Sequence, residues 1–268
     1  MTMPRDLFLL RHGESEGNLA LRAMRNGDDS LLTHPEFSRQ HSSRWRLTAR
    51  GREQAGKAGA WLNENATSDF DRLYTSEYAR AVETAGELQL EQTAEKRCWR
   101  ISPYLRERNW GDIDRATEAE RASVYQRNLL DQDITPYYWR PPNGESLVEV
   151  SARLHLWINT LQRDQAERVI AVAHGEVIDT IRIELERMNE HDFMAMQNGR
   201  SGHVGNCSLI HYTRSEPGGQ TELERYGWRR QIDPTGARVE VGEFEEIERQ
   251  QYNSDQLLRL VQKSPNFF

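Results

Sequence analysis

The sequence is poor in the residues that mark disulfide-stapled and zinc-stapled proteins. Only two cysteines, Cys98 and Cys207, occur among 268 residues, and they lie far apart without a CxxC pattern. This spacing indicates neither a disulfide framework nor a zinc knuckle. Both cysteines are therefore expected to be buried thiols.

Long hydrophobic runs are also missing. No apolar run approaches the ~18 residues that a membrane-spanning helix needs. Residues 1–11 lack the basic start, the long apolar stretch and the small-residue cleavage site of a signal peptide. The sequence thus predicts a cytoplasmic protein with no membrane partner.

The chain has no excess of positive charge. It carries 35 Lys and Arg residues against 42 Asp and Glu residues, for a formal net charge of −7. This balance argues against general electrostatic binding to nucleic acid. Lysine occurs three times, so arginine supplies 32 of the basic residues, a bias that reflects either anion chemistry or the base composition of the gene.

What the chain does contain is a regular alternation of short apolar runs with amphipathic stretches, which predicts an α/β fold. Seven Trp, nine Tyr and seven Phe residues supply bulky side chains for a core. The pattern predicts strands over residues 6–10, 72–75, 99–102, 168–173, 208–212 and 225–231. It predicts helices over residues 51–65, 79–90, 145–161 and 177–185.

Two segments fall outside this alternation. Residues 19–46 are polar and too long for an ordinary connection, so we expect an inserted loop that is either functional or partly disordered. Residues 243–268 start with an acidic run and carry Leu257, Leu258 and Val261, which predicts a C-terminal helix packed on the domain. Without internal repeats or low-complexity linkers, residues 1–268 are expected to form a single domain with a C-terminal extension from about residue 213.

Two of the predicted strands end in a histidine followed by a glycine, at His12-Gly13 and at His174-Gly175. In open α/β sheets, ligands collect at the carboxyl ends of the strands, where helix N-termini also point outward. Both histidines are therefore expected to meet in one site. Each glycine removes a Cβ atom where a ligand or backbone segment has to come close.

Six ordered segments, the two histidine motifs among them, resemble the histidine phosphatase superfamily in its phosphoglycerate-mutase-like branch. They are RHGESEGN at residues 11–18, LTARGREQA at 47–55, YTSEYARAVETA at 74–85, LRERNWG at 105–111, NGES at 143–146 and AHG at 173–175. The resemblance implies a three-layer α/β/α sandwich around a mostly parallel sheet. It does not specifically cover residues 19–46 or the tail beyond about residue 213.

The resemblance assigns roles to single residues in this sequence. His12 aligns with the nucleophile, whose neutral imidazole attacks phosphorus and becomes a phosphohistidine. Arg11 and Arg80 align with phosphate-binding arginines, which balance a phosphate dianion through bidentate contacts. His174 aligns with the second histidine, which contacts the phosphoryl group. Asn18 matches a further polar contact, and Ser15 is expected to add another hydrogen bond.

The same resemblance makes Glu107 the proton donor, which protonates the leaving alkoxide and then activates water. An ordinary glutamate has a pKa near ~4.3, so burial or neighbouring negative charge has to raise it. Among the remaining histidines, His203 in the glycine-rich stretch 199–205 is the strongest further candidate to line the site.

The motifs supply arginines for charge neutralisation and no clustered set of ligands for a two-metal centre, so neither a metal nor a cofactor is expected. The expected partner is a small phosphorylated metabolite, with a phosphoprotein as the open alternative. The oligomeric state is not predicted by the sequence.

Three functions remain open at this point. The mutases of the family carry a long insertion with basic residues after the glutamate motif. Here Glu145 lies only 38 positions after Glu107, and the segment between them includes no adjacent Arg-Arg pair. This length favours a metal-independent phosphomonoesterase over a mutase. A binding or regulatory protein without turnover is the third possibility, and the presence of both His12 and Glu107 argues against it.

Overall fold

The computed structural model describes residues 2–65, 69–91, 98–198, 204–219, 221–236 and 238–262. Its strands form one eight-stranded sheet. In chain order these are β1 (Asp6–Arg11), β2 (Arg72–Ser76), β3 (Trp99–Ser102), β4 (Arg168–Ala173), β5 (Leu209–Thr213), β6 (Trp228–Asp233), β7 (Glu240–Val241) and β8 (Glu245–Glu246). Each of the six strands predicted from the sequence has a counterpart in this sheet.

The sheet has a parallel half and an antiparallel half. Its order is β3-β2-β4-β1-β5-β6-β7, with β8 also paired to β6. Strands β3, β2, β4 and β1 are parallel to one another. Strand β5 pairs antiparallel with β1, and β6, β7 and β8 continue the sheet through antiparallel pairs. Because Arg11 pairs with Ala173 in the register of β1 with β4, the residues that follow them, His12 and His174, leave the sheet side by side.

The helices alternate with these strands along the described part of the chain. They are α1 (Glu16–Arg25), α2 (Ser30–Thr33), α3 (Pro35–Arg39), α4 (Ala49–Asn65), α5 (Ala79–Glu87), α6 (Glu118–Ser123), α7 (Gln126–Ile134), α8 (Leu147–Arg163), α9 (Gly175–Glu186), α10 (Glu190–Asn198) and α11 (Ser254–Gln262). The four predicted helices correspond to α4, α5, α8 and α9.

Helices cover both faces of the sheet, because side chains alternate between the faces of a strand. From β1, Leu7 and Leu9 enter a core shared with α8 and α9, whereas Phe8 and Leu10 enter a second core shared with α4 and α5. Strand β4 is buried along its whole length. This arrangement confirms the expected three-layer α/β/α sandwich.

The segment 19–46 differs from the loop that its polar composition predicts. It folds as the end of α1 followed by α2, α3 and a 3-10 turn at Ser42–Arg44. Ala20, Met24 and Leu32 form a small buried cluster, and the rings of Phe37 and Trp45 stack with centroids 4.8 Å apart. These apolar residues are too few and too widely spaced to show a helical period in the sequence.

The expectation for the C-terminal helix is wrong in its packing. Helix α11 forms, but Leu257, Leu258 and Val261 are 52%, 60% and 63% exposed, so they do not pack on the described residues. The expectation for the cysteines holds for Cys207, which is buried, and fails for Cys98, which is exposed. Cys98 precedes β3, which lies at the edge of the sheet among the described strands.

Candidate active site

His12 lies directly after β1, with its side chain buried against the ends of the neighbouring strands. Its backbone N–H donates to the carbonyl of Ala173 at 3.0 Å, which ties it to the end of β4. The ring Nδ1 lies 2.7 Å from the carbonyl oxygen of Gly13. Because a carbonyl only accepts, Nδ1 carries the proton and Nε2 presents a free electron pair.

Gly13 is required at its position by the close approach of α4. A Cβ atom on Gly13 would lie 2.4 Å from the carbonyl oxygen of Gly51. Gly175 differs, since its nearest neighbour would be the Arg11 guanidinium carbon at 3.6 Å, an ordinary contact. Close approach of protein backbone therefore explains the first glycine and not the second, and the approach of a ligand to Gly175 stays a prediction.

His174 follows β4 and lies beside His12, with ring centroids 5.1 Å apart. Its Nε2 is 2.8 Å from the hydroxyl of Ser76 at the end of β2, and its Nδ1 is 3.7 Å from Oε2 of Glu107. The side chain is fully buried. The structure thus brings both strand-end histidines together, as their shared context predicts.

Two arginines contribute positive charge to the same pocket. Arg80, at the start of α5, donates from Nε to Nε2 of His12 at 3.1 Å and from Nη1 to the carbonyl of Ser42 at 2.8 Å. Arg11 donates from Nη1 to the carbonyl of Val204 at 2.8 Å. Burial lowers the pKa of both guanidinium groups, but arginine starts so high that both remain charged.

Burial and these charges keep both histidines neutral. Burial is the largest cause and Arg80 the second in holding the pKa of His12 and of His174 well below the usual value. A neutral imidazole with a protonated Nδ1 is the form that can attack phosphorus through Nε2. The pocket therefore combines a neutral imidazole, whose Nε2 has a free electron pair, with two fixed cations, which suits a tetrahedral dianion.

Glu107 lies across from the histidines, after a 3-10 turn at Pro103–Leu105. Its Oε1 accepts the backbone N–H of Arg108 at 3.0 Å, and its Oε2 is 3.9 Å from Nη2 of Arg80. Burial is the main cause that raises the pKa of Glu107 to about 7, and the negative charge of Glu176 is the second. This carboxyl group can therefore hold a proton near neutral pH and release it.

Glu176, Arg108 and Trp110 form a supporting group that the sequence analysis did not identify. Glu176 lies in the first turn of α9, where its carboxylate accepts from Nη1 of Arg108 at 3.1 Å and from Nε1 of Trp110 at 2.8 Å. Burial raises the pKa of Glu176 as well. Arg108 and Trp110 belong to the LRERNWG motif at residues 105–111, whereas the sequence signal for Glu176 was its closeness to His174 in the chain.

Ser15 and Asn18 are placed beside the catalytic loop but hydrogen-bond mainly to each other. Ser15 caps α1, and Oδ1 of Asn18 accepts from the backbone N–H and the hydroxyl of Ser15, each at 3.1 Å. Asn206 links this cap to the nucleophile, since its Nδ2 donates to the carbonyl of His12 at 3.0 Å and to Oδ1 of Asn18 at 3.2 Å. Substrate contacts by Ser15 and Asn18 stay predictions.

The loop that carries the nucleophile is held by further contacts, which depend on residues distant in sequence. Gly13 N–H donates to the hydroxyl of Thr84 at 3.0 Å, and Glu14 N–H donates to Oε1 of Gln54 at 2.9 Å. The buried Glu14 carboxylate accepts from Arg22 at 2.7 Å. His203, the further candidate from the sequence, lies outside the described residues.

His12, Glu107 and His174 each place one possible metal-ligand atom within 4.8 Å of the others. In the described ranges, this is the one group of three or more histidine, cysteine or acidic residues that lie this close. The buried guanidinium groups of Arg11 and Arg80 border the same space. Two adjacent positive charges repel a divalent cation and attract an anion. The geometry therefore fits a phosphate group better than a metal ion.

An α/β/α sandwich with two neutral histidines, two arginines and a protonatable glutamate at the strand ends defines a phosphoryl-transfer protein. A family model described as histidine phosphatase superfamily (branch 1) matches residues 7–228. The chain belongs to this superfamily.

None of the described helices has the length and apolar composition that a membrane crossing requires.

The similar proteins include both mutases and phosphatases. The 2,3-bisphosphoglycerate-dependent phosphoglycerate mutase of Bartonella henselae is 31% identical over 204 residues, which cover 73% of this chain and 88% of that protein. The α-ribazole phosphatase of Shigella flexneri has a TM-score of 0.62 at 20% identity, covering 92% of this chain and 100% of that one. A mycobacterial glucosyl-3-phosphoglycerate phosphatase has a TM-score of 0.58 at 24% identity, covering 78% and 92%. The two structural matches show the fold alone.

Proposed function

We propose that this protein is a metal-independent phosphomonoesterase, without a cofactor, that hydrolyses a small phosphorylated metabolite through a phosphohistidine at His12. The observation that carries this proposal is the tautomer of His12: Nδ1 is committed to the carbonyl of Gly13, and Nε2 faces the guanidinium of Arg80. A phosphate held by that guanidinium lies next to the nucleophilic nitrogen.

In the first step, Nε2 of His12 forms a bond to phosphorus as the bond from phosphorus to the leaving oxygen breaks. Protonated Glu107 gives its proton to that oxygen, so a neutral alcohol departs. The imidazole ring becomes cationic, and the carbonyl of Gly13 stabilises it through Nδ1. Arg11 and Arg80 neutralise the equatorial oxygens of the transferring group, where most of the charge is spread.

In the second step, the Glu107 carboxylate removes a proton from water, and the water oxygen attacks phosphorus. The bond from phosphorus to Nε2 breaks, which returns neutral His12, protonated Glu107 and inorganic phosphate. A group with a pKa of about 7 is suited to both proton transfers. The hydroxyl of Ser76 holds His174 against the same phosphoryl group.

The arginines after Glu107 support hydrolysis over transfer to a second hydroxyl. Arg108, Arg115, Arg121 and Arg140 all donate to backbone carbonyls. These hydrogen bonds stabilise the conformation of the segment between Glu107 and Glu145. Four of the arginines in this segment are therefore used structurally, whereas a phosphoglycerate mutase needs cations that hold a carboxylate.

A mutase remains the second candidate, because the Bartonella henselae relative at 31% identity carries that name. The experiment measures inorganic phosphate released from p-nitrophenyl phosphate, in parallel with interconversion of 2- and 3-phosphoglycerate after priming with the bisphosphate. We expect phosphate release, unchanged by excess EDTA, to exceed interconversion. Faster interconversion would establish the mutase, and no turnover in either assay would support a binding protein.

A further inference from the structure

A cleft of about 370 Å³ is lined in part by Arg108 and Glu176, the residues that follow Glu107 and Gly175 in the chain. Its apolar lining residues are Leu147 at the start of α8, Phe193 and Met194 of α10, and Pro136. Its polar lining residues include Gln132 and Asp133 from α7. An apolar lining with a few polar groups is the usual design of a site for a small molecule.

The cleft is connected to the reaction by Arg108 and Glu176, which also line it. Arg108 follows Glu107 in the chain, and its backbone N–H binds the Glu107 carboxylate at 3.0 Å. Glu176 follows Gly175 of the second His-Gly pair, and its negative charge raises the pKa of Glu107. We therefore take this cleft as the space that receives a leaving group whose oxygen is protonated by Glu107.

The charges in the cleft restrict what it can accept. Among the described residues that line it, Arg108 is the one cation. All three of its guanidinium nitrogens already donate: Nε to the carbonyl of Glu145 at 2.8 Å, Nη1 to Glu176 at 3.1 Å and Nη2 to the carbonyl of Trp139 at 3.1 Å. Its guanidinium also stacks on Trp110, 4.7 Å from the ring centroid.

An anionic leaving group would therefore meet the carboxylates of Asp133 and Glu176, while the charge of Arg108 is already paired with Glu176 at 3.1 Å. Burying a charge without a partner is strongly unfavourable. A neutral hydroxyl or an ammonium group instead finds acceptors in Asp133 and in the side-chain oxygen of Gln132, and an apolar body finds Met194 and Phe193.

Building on the proposed function, we propose that this cleft binds the alcohol portion of the substrate. We further propose that this alcohol is amphipathic, with an apolar body and a neutral or cationic polar group. A carboxylate or a second phosphate on the leaving group is selected against. This substrate class differs from the phosphoglycerates on which the sequence relatives act by name.

A second groove is the alternative binding place for the leaving group. It is lined by Arg44 and Arg46 from the 3-10 turn region and by Glu77 and Glu83 around α5. Arg46 forms an ion pair with Glu83, whereas Arg44 is exposed. A substrate carboxylate that bound Arg44 would contradict the proposal.

The test compares kcat/KM for 2-phenylethyl phosphate, phosphoethanolamine and 3-phosphoglycerate, with acetyl phosphate as the small reference substrate. We expect the first two to exceed 3-phosphoglycerate by at least tenfold. Asp133→Lys should raise kcat/KM for 3-phosphoglycerate several-fold and lower it for phosphoethanolamine. Met194→Ser should lower kcat/KM for 2-phenylethyl phosphate. Both variants should keep the wild-type turnover of acetyl phosphate.

Asp131→Lys is the matched control, because it makes the same charge change on α7 at an exposed position that does not line the cleft. The proposal is overturned if the wild-type protein prefers 3-phosphoglycerate, if Asp133→Lys and Asp131→Lys behave alike, or if Arg44→Ala removes activity on 3-phosphoglycerate alone. Failure of the proposed function is recognised separately, as absence of phosphate release from p-nitrophenyl phosphate and acetyl phosphate.

Discussion

The Nε–H of Arg80 is directed at Nε2 of His12, 3.1 Å away, so this buried cation contacts the nitrogen that we propose as the nucleophile. The same guanidinium donates to the carbonyl of Ser42 through Nη1. In the proposed mechanism, the oxygens of an entering phosphate replace the imidazole as acceptor for Nε, which frees the electron pair of His12. One side chain would thereby hold His12 in place and bind the phosphate.

Arg80→Lys keeps the charge but removes the planar group that spans His12, Ser42 and the phosphate. Lysine presents a point charge and cannot make a bidentate contact. We expect kcat/KM for p-nitrophenyl phosphate to fall by roughly 10²–10³, the usual loss for one transition-state donor. Circular dichroism and thermal melting check that the variant folds, and a loss of less than threefold in a folded variant contradicts the assigned role.

Glu107→Gln keeps the shape of the side chain but cannot deliver a proton. We expect kcat to fall by roughly 10²–10⁴ for substrates whose leaving group is a poor alkoxide, because general acid catalysis contributes about that much. With p-nitrophenyl phosphate, whose leaving group needs no proton, the loss should be far smaller. Equal losses for alkyl and p-nitrophenyl esters would assign Glu107 to binding or to structure instead.

The pH profile should depend on Glu176. Activity needs protonated Glu107, so it should fall as pH rises through about 7, and the lowered pKa of His12 keeps the nucleophile neutral well below that. Glu176→Gln removes a negative charge that disfavours ionisation of Glu107, so the pKa of Glu107 falls. The upper limb of the kcat/KM profile should then shift to lower pH.

Glu184→Gln is the control for this shift, since Glu184 lies on the same helix α9 but pairs with His155 and Ser151 away from Glu107. Its profile should match the wild-type protein. An upper limb that stays in place in Glu176→Gln, or that moves equally in both variants, would show that Glu176 does not set the proton affinity of Glu107.

The segment 19–46 is expected to act as a lid that selects substrate, and its contacts reach both sides of the site. The carbonyl of Ser42 binds Arg80, and the carbonyl of Ser38 accepts from Nη1 of Arg115 at 2.5 Å. Replacing residues 27–40 with a short Gly/Ser linker keeps Ser42. Turnover of acetyl phosphate should stay within a few-fold, while the ranking of larger esters changes.

Arg115→Ala tests the lid with less disruption, because it removes the contact to Ser38 and leaves the segment intact. The same change in ranking, smaller in size, is expected. If a folded form of each variant ranks a panel of phosphorylated metabolites as the wild-type protein does, then segment 19–46 is not a lid.

The central strands and both histidines were predictable because β1 and β4 are short apolar runs that end at a histidine. Such a local pattern of apolar residues can be recognised from the sequence alone. The helices α6 and α7 were not predicted, since they are polar and none of their residues is buried. Asn206 and Glu176 were missed because their roles depend on which distant residues the fold brings to them.

The exposure of Leu257 and Leu258 was not predicted, for a related reason. Helical spacing of apolar residues predicts an apolar face, but it does not show whether another part of the chain covers that face. The pKa of Glu107 likewise depends on burial and on Glu176, which belongs to a different helix. Sequence motifs could place this glutamate in the site without showing why it is protonated.

The most direct test is to trap the covalent intermediate with phosphorus-labelled substrate in a rapid acid-free quench. Hydrolysis through His12 predicts a label on the wild-type chain that is stable to base and labile to acid. The label should map to the peptide containing His12 and be absent from His12→Ala. An acid-stable label, or a label retained by His12→Ala together with full activity, would contradict a phosphohistidine at this residue.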